Sequence, residues 1–233
     1  MHISKIGTAS LVATAFVLAQ GAAHAANLSF SGASATFEQT FAGTWTAAQS
    51  IDGLIPAPGT PSSGWAIFDN GVTASQTALF ELSTPLAPGA YTLTYTLTQN
   101  YGSNHTLDTF SLAYTTAAGP GLASPQTLVS ISSASSSGGA TLTPTGGNID
   151  ASGTPLATDV YTIVANINAG APVTGLFLNA IDNPGAGPGR QGNGNFVLTE
   201  FAVNAAPVPE PAQWALMAAG LAAISFVAKR RNS

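Results

Sequence analysis

The run Ala90–Gln99, AYTLTYTLTQ, constrains the fold more than any other segment of the chain. Tyr91, Leu93, Tyr95 and Leu97 alternate with Thr92, Thr94, Thr96 and Thr98. A period of two puts the large apolar side chains on one face of a strand and the threonines on the other, a segregation no helix can produce. Pro88-Gly89 marks a turn just before it. Thr109–Thr116 repeats the pattern with Phe110, Leu112 and Tyr114, and Gln76–Leu82 with Ala78, Phe80 and Leu82. Val160–Ile167, Val173–Ile181 and Phe196–Val203 are rich in β-branched and aromatic residues, and Ala33–Phe37 reads as an early strand. Nothing between Ala26 and Ala206 has a 3.6-residue period. Strands with one apolar face need a second layer, so residues 26–206 are expected to form an all-β antiparallel sandwich. Ser130–Gly147 and Asn183–Asn195, dominated by Ser, Thr, Gly, Pro and Asn, are expected to be long surface loops.

Charge narrows the function. Only 6% of the 233 residues are charged, against about 25% in an ordinary soluble domain. Between Ala26 and Ala206, Arg190 is the one base against nine acids, a net of −8. That excludes nucleic-acid binding, which needs a cationic footprint. The absence of cysteine excludes disulfides, thiolate metal sites and cysteine nucleophiles.

The two ends are addresses. Met1 and Lys5 form a positive n-region, Ile6–Ala19 is apolar, and Ala23-His24-Ala25 precedes Ala26 as an A-x-A cleavage site. Residues 1–25 thus read as a signal peptide, with the Sec machinery and signal peptidase as partners. At the other end, Val208-Pro209-Glu210-Pro211 is followed by the uncharged stretch Trp214–Ala228 and then by Lys229-Arg230-Arg231. A helix from Pro211 to Ala228 would be about 27 Å long, close to the ~30 Å of a hydrocarbon core. A single transmembrane helix stopped by the basic cluster is expected. Motif, span and basic tail over 207–233 resemble the PEP-CTERM sorting signal of Gram-negative bacteria. The resemblance implies an exosortase substrate, held in the inner membrane, cut near Pro209-Glu210-Pro211 and moved to the cell surface or extracellular matrix.

Blocks of the middle carry a second resemblance: ATFEQTF at 35–41, SIDG at 50–53, GWAIFDNG at 64–71, ALFEL at 78–82, LTYTLTQNYGSNHTLDTFSLAYT at 93–115 and GNFVLTEFAV at 194–203. They look like galactose-binding-like (discoidin-like) modules of bacterial surface proteins. The resemblance implies a jelly-roll-like sandwich of eight to nine strands, with carbohydrate-type ligands as one use. Asp108 and Thr109 stand where that pattern more often has Gly and Arg. Such folds often hold a structural calcium near their terminal strands, and Glu200 resembles the acid on their last strand.

Candidate chemistry is sparse. Asp52 and Asp69 lie in turn-like segments that could join Glu200 around calcium, which takes six to eight oxygen ligands. Trp45 and Tyr101 sit in loop-like contexts suited to stacking on sugars, with His105 beside them; Trp65, inside WAIF, reads as core. Ser103, His105 and Asp108 are too close in sequence to make a triad. Gly187–Gly192 matches GxGxxG by letter but precedes a strand instead of following one, so it binds no nucleotide. The threonine array of 92–98 lies in one strand, which does not make a flat ice-matching lattice. No catalytic residue is assigned. The expectation is a non-enzymatic, surface-sorted sandwich with weak carbohydrate or exopolysaccharide binding. The alternatives are an extracellular hydrolase with paired carboxylates, or a purely structural matrix protein.

Overall fold

The computed structural model describes residues 24–40, 43, 45–57, 63–68, 74–184, 186–209 and 211–231. The expected signal peptide as far as Ala23, and also Asp69 and Glu210, lie outside these residues. In chain order the strands are β1 (Ala26–Asn27), β2 (Phe30–Ala35), β3 (Trp65–Ala66), β4 (Gln76–Leu86), β5 (Gly89–Gln99), β6 (Thr109–Thr115) and β7 (Thr127–Leu128). They continue with β8 (Ser130–Ser136), β9 (Thr141–Thr145), β10 (Asn148–Ser152), β11 (Asp159–Ala169), β12 (Val173–Ile181), β13 (Val197–Leu198) and β14 (Glu200–Pro207). One helix, α1 (Pro211–Arg231), follows.

The strands form an antiparallel β-sandwich. One sheet has the order β1-β14-β5-β11-β8, and the other has β2-β4-β12-β6-β10-β9 with β7 beside β6. The alternating run is the centre of the first sheet: β5 pairs with β11 along its whole length and with β14 from Glu200↔Thr98 to Pro207↔Tyr91. Leu93, Tyr95 and Leu97 point inward and are fully buried. They meet Phe80 of β4, Leu176 and Leu178 of β12 and Phe110 of β6 in one core. Phe201 of β14 stacks on Phe80 across the sandwich, centroids 3.8 Å apart and planes 6° from parallel, with Phe30 and Tyr95 at its edges. Trp65 is buried as expected and donates its indole N–H to the Phe37 carbonyl, 2.9 Å. The second sheet also buries its outer face, where Leu79, Ala113 and Phe177 pack under Leu122.

Two differences from the sequence reading have plain causes. Ser130–Gly147, expected as a loop, contains β8 and β9. These are sheet edges, and an edge strand needs only a few inward apolar residues. Ile131, Ala134 and Leu142 supply them, while Ser and Thr satisfy the wet face. The segment Phe196–Val203 is two strands, because Thr199 breaks it. Thr199 gives both its N–H and its hydroxyl to the Thr98 carbonyl, and its hydroxyl accepts from the Asn100 N–H. β13 then turns away to pair with β3. The threonine array of β5 stays in that strand, as read: Thr96 lies between Thr162 and Ala202, Thr94 between Val164 and Asn204, and Thr92 between Asn166 and Ala206.

The described residues of the Asn183–Asn195 segment do lie outside the sheets, and two of its glycines, Gly187 and Gly189, permit close packing. A Cβ on Gly189 would lie 2.0 Å from the Asn195 carbonyl oxygen, and one on Gly187 would lie 2.6 Å from the Gly194 Cα. The letters of the GxGxxG match thus mark a chain folded tightly against itself.

Replacing Phe201 with Ala removes the ring that both sheets share. It should cost about 3–5 kcal/mol of stability, read as a lower midpoint in urea unfolding with an unchanged slope.

Candidate functional site

A cavity of about 320 Å³ opens where β14 begins, lined by Leu28 to Phe30, Ile51 to Gly53 and Glu200 to Ala202. The loop carrying Asp52 is set by a short 3-10 turn, Ala47–Ser50, and by its anchors. The Glu38 carboxylate accepts from the Ala47 N–H at 2.9 Å, and the Ser50 hydroxyl donates to the Ala47 carbonyl at 2.7 Å. Asp52 is held from two sides, Oδ1 accepting from the Leu54 N–H at 2.8 Å and Oδ2 from the Ser63 hydroxyl at 2.7 Å. Gly53, at φ +74°, turns the chain in a region that disfavours side chains. Its backbone hydrogen-bonds the Glu200 carboxyl. Thus two of the three acids read from the sequence as a metal set come together, and Asp69 lies outside the described residues.

Glu200 is the strained group. Burial first, and then the Asp52 charge, push its carboxyl up to about 7 from 4.5, against the Gly53 hydrogen bond. Its Oε2 is buried without a hydrogen-bond partner. An unpartnered buried carboxylate oxygen beside a second carboxylate is a hard-oxygen donor set, which is the chemistry a calcium ion requires. Glu200 and Asp52 are the two carboxylates that line this cavity. Among the described residues no group of three or more His, Cys, Asp or Glu side chains gathers, here or elsewhere. The sequence signals missed here were Gly53 and Ser63, which fix Asp52. An Asp-Gly pair followed by a serine is too common to identify by spacing alone.

The three residues chosen for ligand contact also meet. Tyr101 packs edge-on against Trp45 at 5.5 Å and against His105 at 4.7 Å. Trp45 is not the exposed loop ring that was expected: it is 8% exposed and packs with Ala66 and Val197, so Tyr101 and His105 are the half-buried members. The small sheet β3–β13 closes over the indole, which a reading by local sequence could not foresee. His105 bonds the Gly102 carbonyl through Nδ1 at 2.8 Å, and burial lowers its pKa. The Asp108 carboxylate accepts from the Asn183 amide, 3.0 Å.

At the other end of β14, the Val208 N–H donates to the Ala90 carbonyl, 2.9 Å. α1 follows, with Leu216, Met217, Leu221, Ile224 and Val227 exposed. The Ser225 hydroxyl is satisfied within the helix by the Leu221 carbonyl. The helix forms where expected, but among the described residues no helix is long and apolar enough to cross a membrane. Six alanines and Gly220 dilute the large side chains of Trp214–Ala228.

The molecule is therefore an antiparallel β-sandwich that ends in a helical sorting tail. Residues 207–231 match the PEP-CTERM protein-sorting motif. No curated protein matches the chain. Among solved structures it is similar to chitosan-binding module 1 of a chitosanase/glucanase from Paenibacillus sp. IK-5. That likeness is at 14% identity over 76% of this chain and 98% of the module, with a TM-score of 0.45, too distant to bear on the ligand.

The raised Glu200 carboxyl sets a pH dependence. Between about 4.5 and about 7 the unfolded chain has lost this proton while the folded chain keeps it. Stability therefore falls as pH rises through that window and levels off above it. In calcium-free buffer the wild-type melting temperature should drop across it relative to Glu200→Gln. Parallel pH profiles for the two proteins would contradict the assignment.

Proposed function

We propose that this chain is an exported, non-catalytic surface domain, processed by an exosortase and released into a polysaccharide-rich matrix. The observation that carries the reading is the PEP-CTERM motif at 207–231, which follows the last strand without a linker. On this reading the signal peptide delivers the domain through the Sec route, and signal peptidase cuts between Ala25 and Ala26. The C-terminal helix then serves as a temporary foothold in the inner membrane, with Lys229 and Arg230 on the cytoplasmic side. Exosortase cuts at the Val208–Pro211 motif.

The non-catalytic part is supported by the ties of His105 and Asp108. The first is bonded to a backbone carbonyl and the second to a loop amide, so neither is arranged to activate Ser103. The recognition role is weak binding of carbohydrate. Its support is a domain with one interior base, which disfavours anionic polymers, and an aromatic cluster partly open at Tyr101. Calcium is the structural cofactor of this reading, held by Asp52 and Glu200.

Replacing Pro209, Glu210 and Pro211 together with Ala should leave the protein in the membrane fraction and longer by its tail. Cell fractionation with immunoblotting reads this, and normal release of the variant would refute the sorting role. Calcium should raise the melting temperature of the wild type and leave Glu200→Gln unmoved. Hydrolysis of a polysaccharide that is lost in Glu200→Gln, with no calcium effect, would instead assign the pair to acid–base catalysis. That second reading rests on a carboxylic acid protonated near neutrality beside a carboxylate.

A further inference from the structure

We propose that the outer face of the first sheet holds a second recognition site, a hollow for an uncharged, hydroxyl-rich polysaccharide segment. The hollow measures about 510 Å³, within the range of small-ligand sites. It lies over β5, β11 and the start of β8, and Val208 forms one wall. The inference rests on the carbohydrate reading above and locates that activity away from the aromatic cluster.

Three observations select the ligand class. First, the lining is amphipathic: Ala90 and Val208 offer apolar surface, while Thr92, Ser130, Asn166 and Asn168 offer hydroxyls and amides. A sugar ring has the same two characters, an apolar C–H face and a rim of hydroxyls. Second, the polar groups are pre-aligned across strands. The Thr92 hydroxyl donates to the Asn166 Oδ1 at 3.0 Å, and the Asn166 Nδ2 donates to the Ser132 hydroxyl at 2.7 Å. Such ordering lowers the entropy lost on binding. Third, no carboxylate, histidine or cationic side chain lines the hollow among the described residues. A phosphate or uronate would find no counter-charge there, and the domain's net −8 repels it. A cation would find no carboxylate. What remains is a neutral ligand that both donates and accepts, as hydroxyls do.

The wall at Val208 ties this site to the tail. The backbone bond to Ala90 holds that wall against β5, one residue before Pro209. The hollow is therefore complete only while the end of β14 stays paired.

The test is calorimetric titration of the purified full-length chain in detergent micelles with dextran, laminarin and alginate oligosaccharides. Binding of a neutral glycan without alginate binding is expected. Asn168→Ala and Ser130→Trp, both at exposed positions, should each weaken it tenfold or more at an unchanged melting temperature. Persistence of full binding in both variants would overturn the hollow and leave the carbohydrate reading standing. No binding to any of the three glycans would remove both. Preference for alginate would overturn the neutral assignment.

Discussion

The pairing of β14 with β5 is the constraint on which the rest of the molecule depends. β14 sits inside the first sheet, between β1 and β5, so its two ends are positioned by a ladder running from Glu200↔Thr98 to Pro207↔Tyr91. One end presents Glu200 to Asp52. The other delivers Val208 to the Ala90 carbonyl of β5. The inward side chain Phe201 locks this arrangement by stacking on Phe80 of the opposite sheet. Slipping the register by one residue would send Phe201 outward and Glu200 into the core, and burial of an apolar ring against an ionisable group is a large difference to overcome.

Buried carboxylates in this fold differ in how fully they are hydrogen-bonded. Asp159 is buried, yet its carboxylate accepts from the Ser136 hydroxyl and from the N–H groups of Gly138 and Val160. It is a closed account of hydrogen bonds that fastens β8 to β11. Glu200 differs because one of its oxygens is buried without a partner. The same contrast holds for rings. Trp65 has a carbonyl for its N–H and belongs to the core, whereas Tyr101 packs only edge-on and keeps part of its surface in water.

Much of the fold was legible because period-two patterning reports directly which face is buried. The run at Ala90–Gln99 and the strand Val173–Ile181 appear in the structure as read. What local patterning could not report was partnership. β8 and β9 are strands because β11 and β10 lie beside them, although their composition alone looks like loop. Trp45 is buried because β3 and β13 pair over it across more than a hundred residues of sequence. The approach of Asp52 to Glu200 belongs to the same class. Each residue was a candidate on its own or by resemblance, and only the fold supplied their meeting. The hollow beside Val208 had no sequence signal, since Thr, Ser and Asn on a strand face are ordinary solvent-facing residues.

The length of β14 also separates two tasks. Eight residues at about 3.3 Å each put roughly 25 Å between its ends. A cut in the tail beyond Val208 acts at the far end of the strand from the carboxylate pair, with the whole β5 ladder in between. Under the proposed sorting, cleavage there would remove the helix without loosening the loop that carries Asp52, whose anchors are Glu38, Gln49 and Ser63. The hollow at the foot of the sheet is in the opposite position. It borrows a wall from Val208, the first residue of the proposed processing motif, so under the proposed sorting its integrity would follow the state of the C-terminus while that of the carboxylate cavity would not. A last strand that ends flush with the motif sets the carboxylate cavity far from that motif and the proposed hollow directly against it.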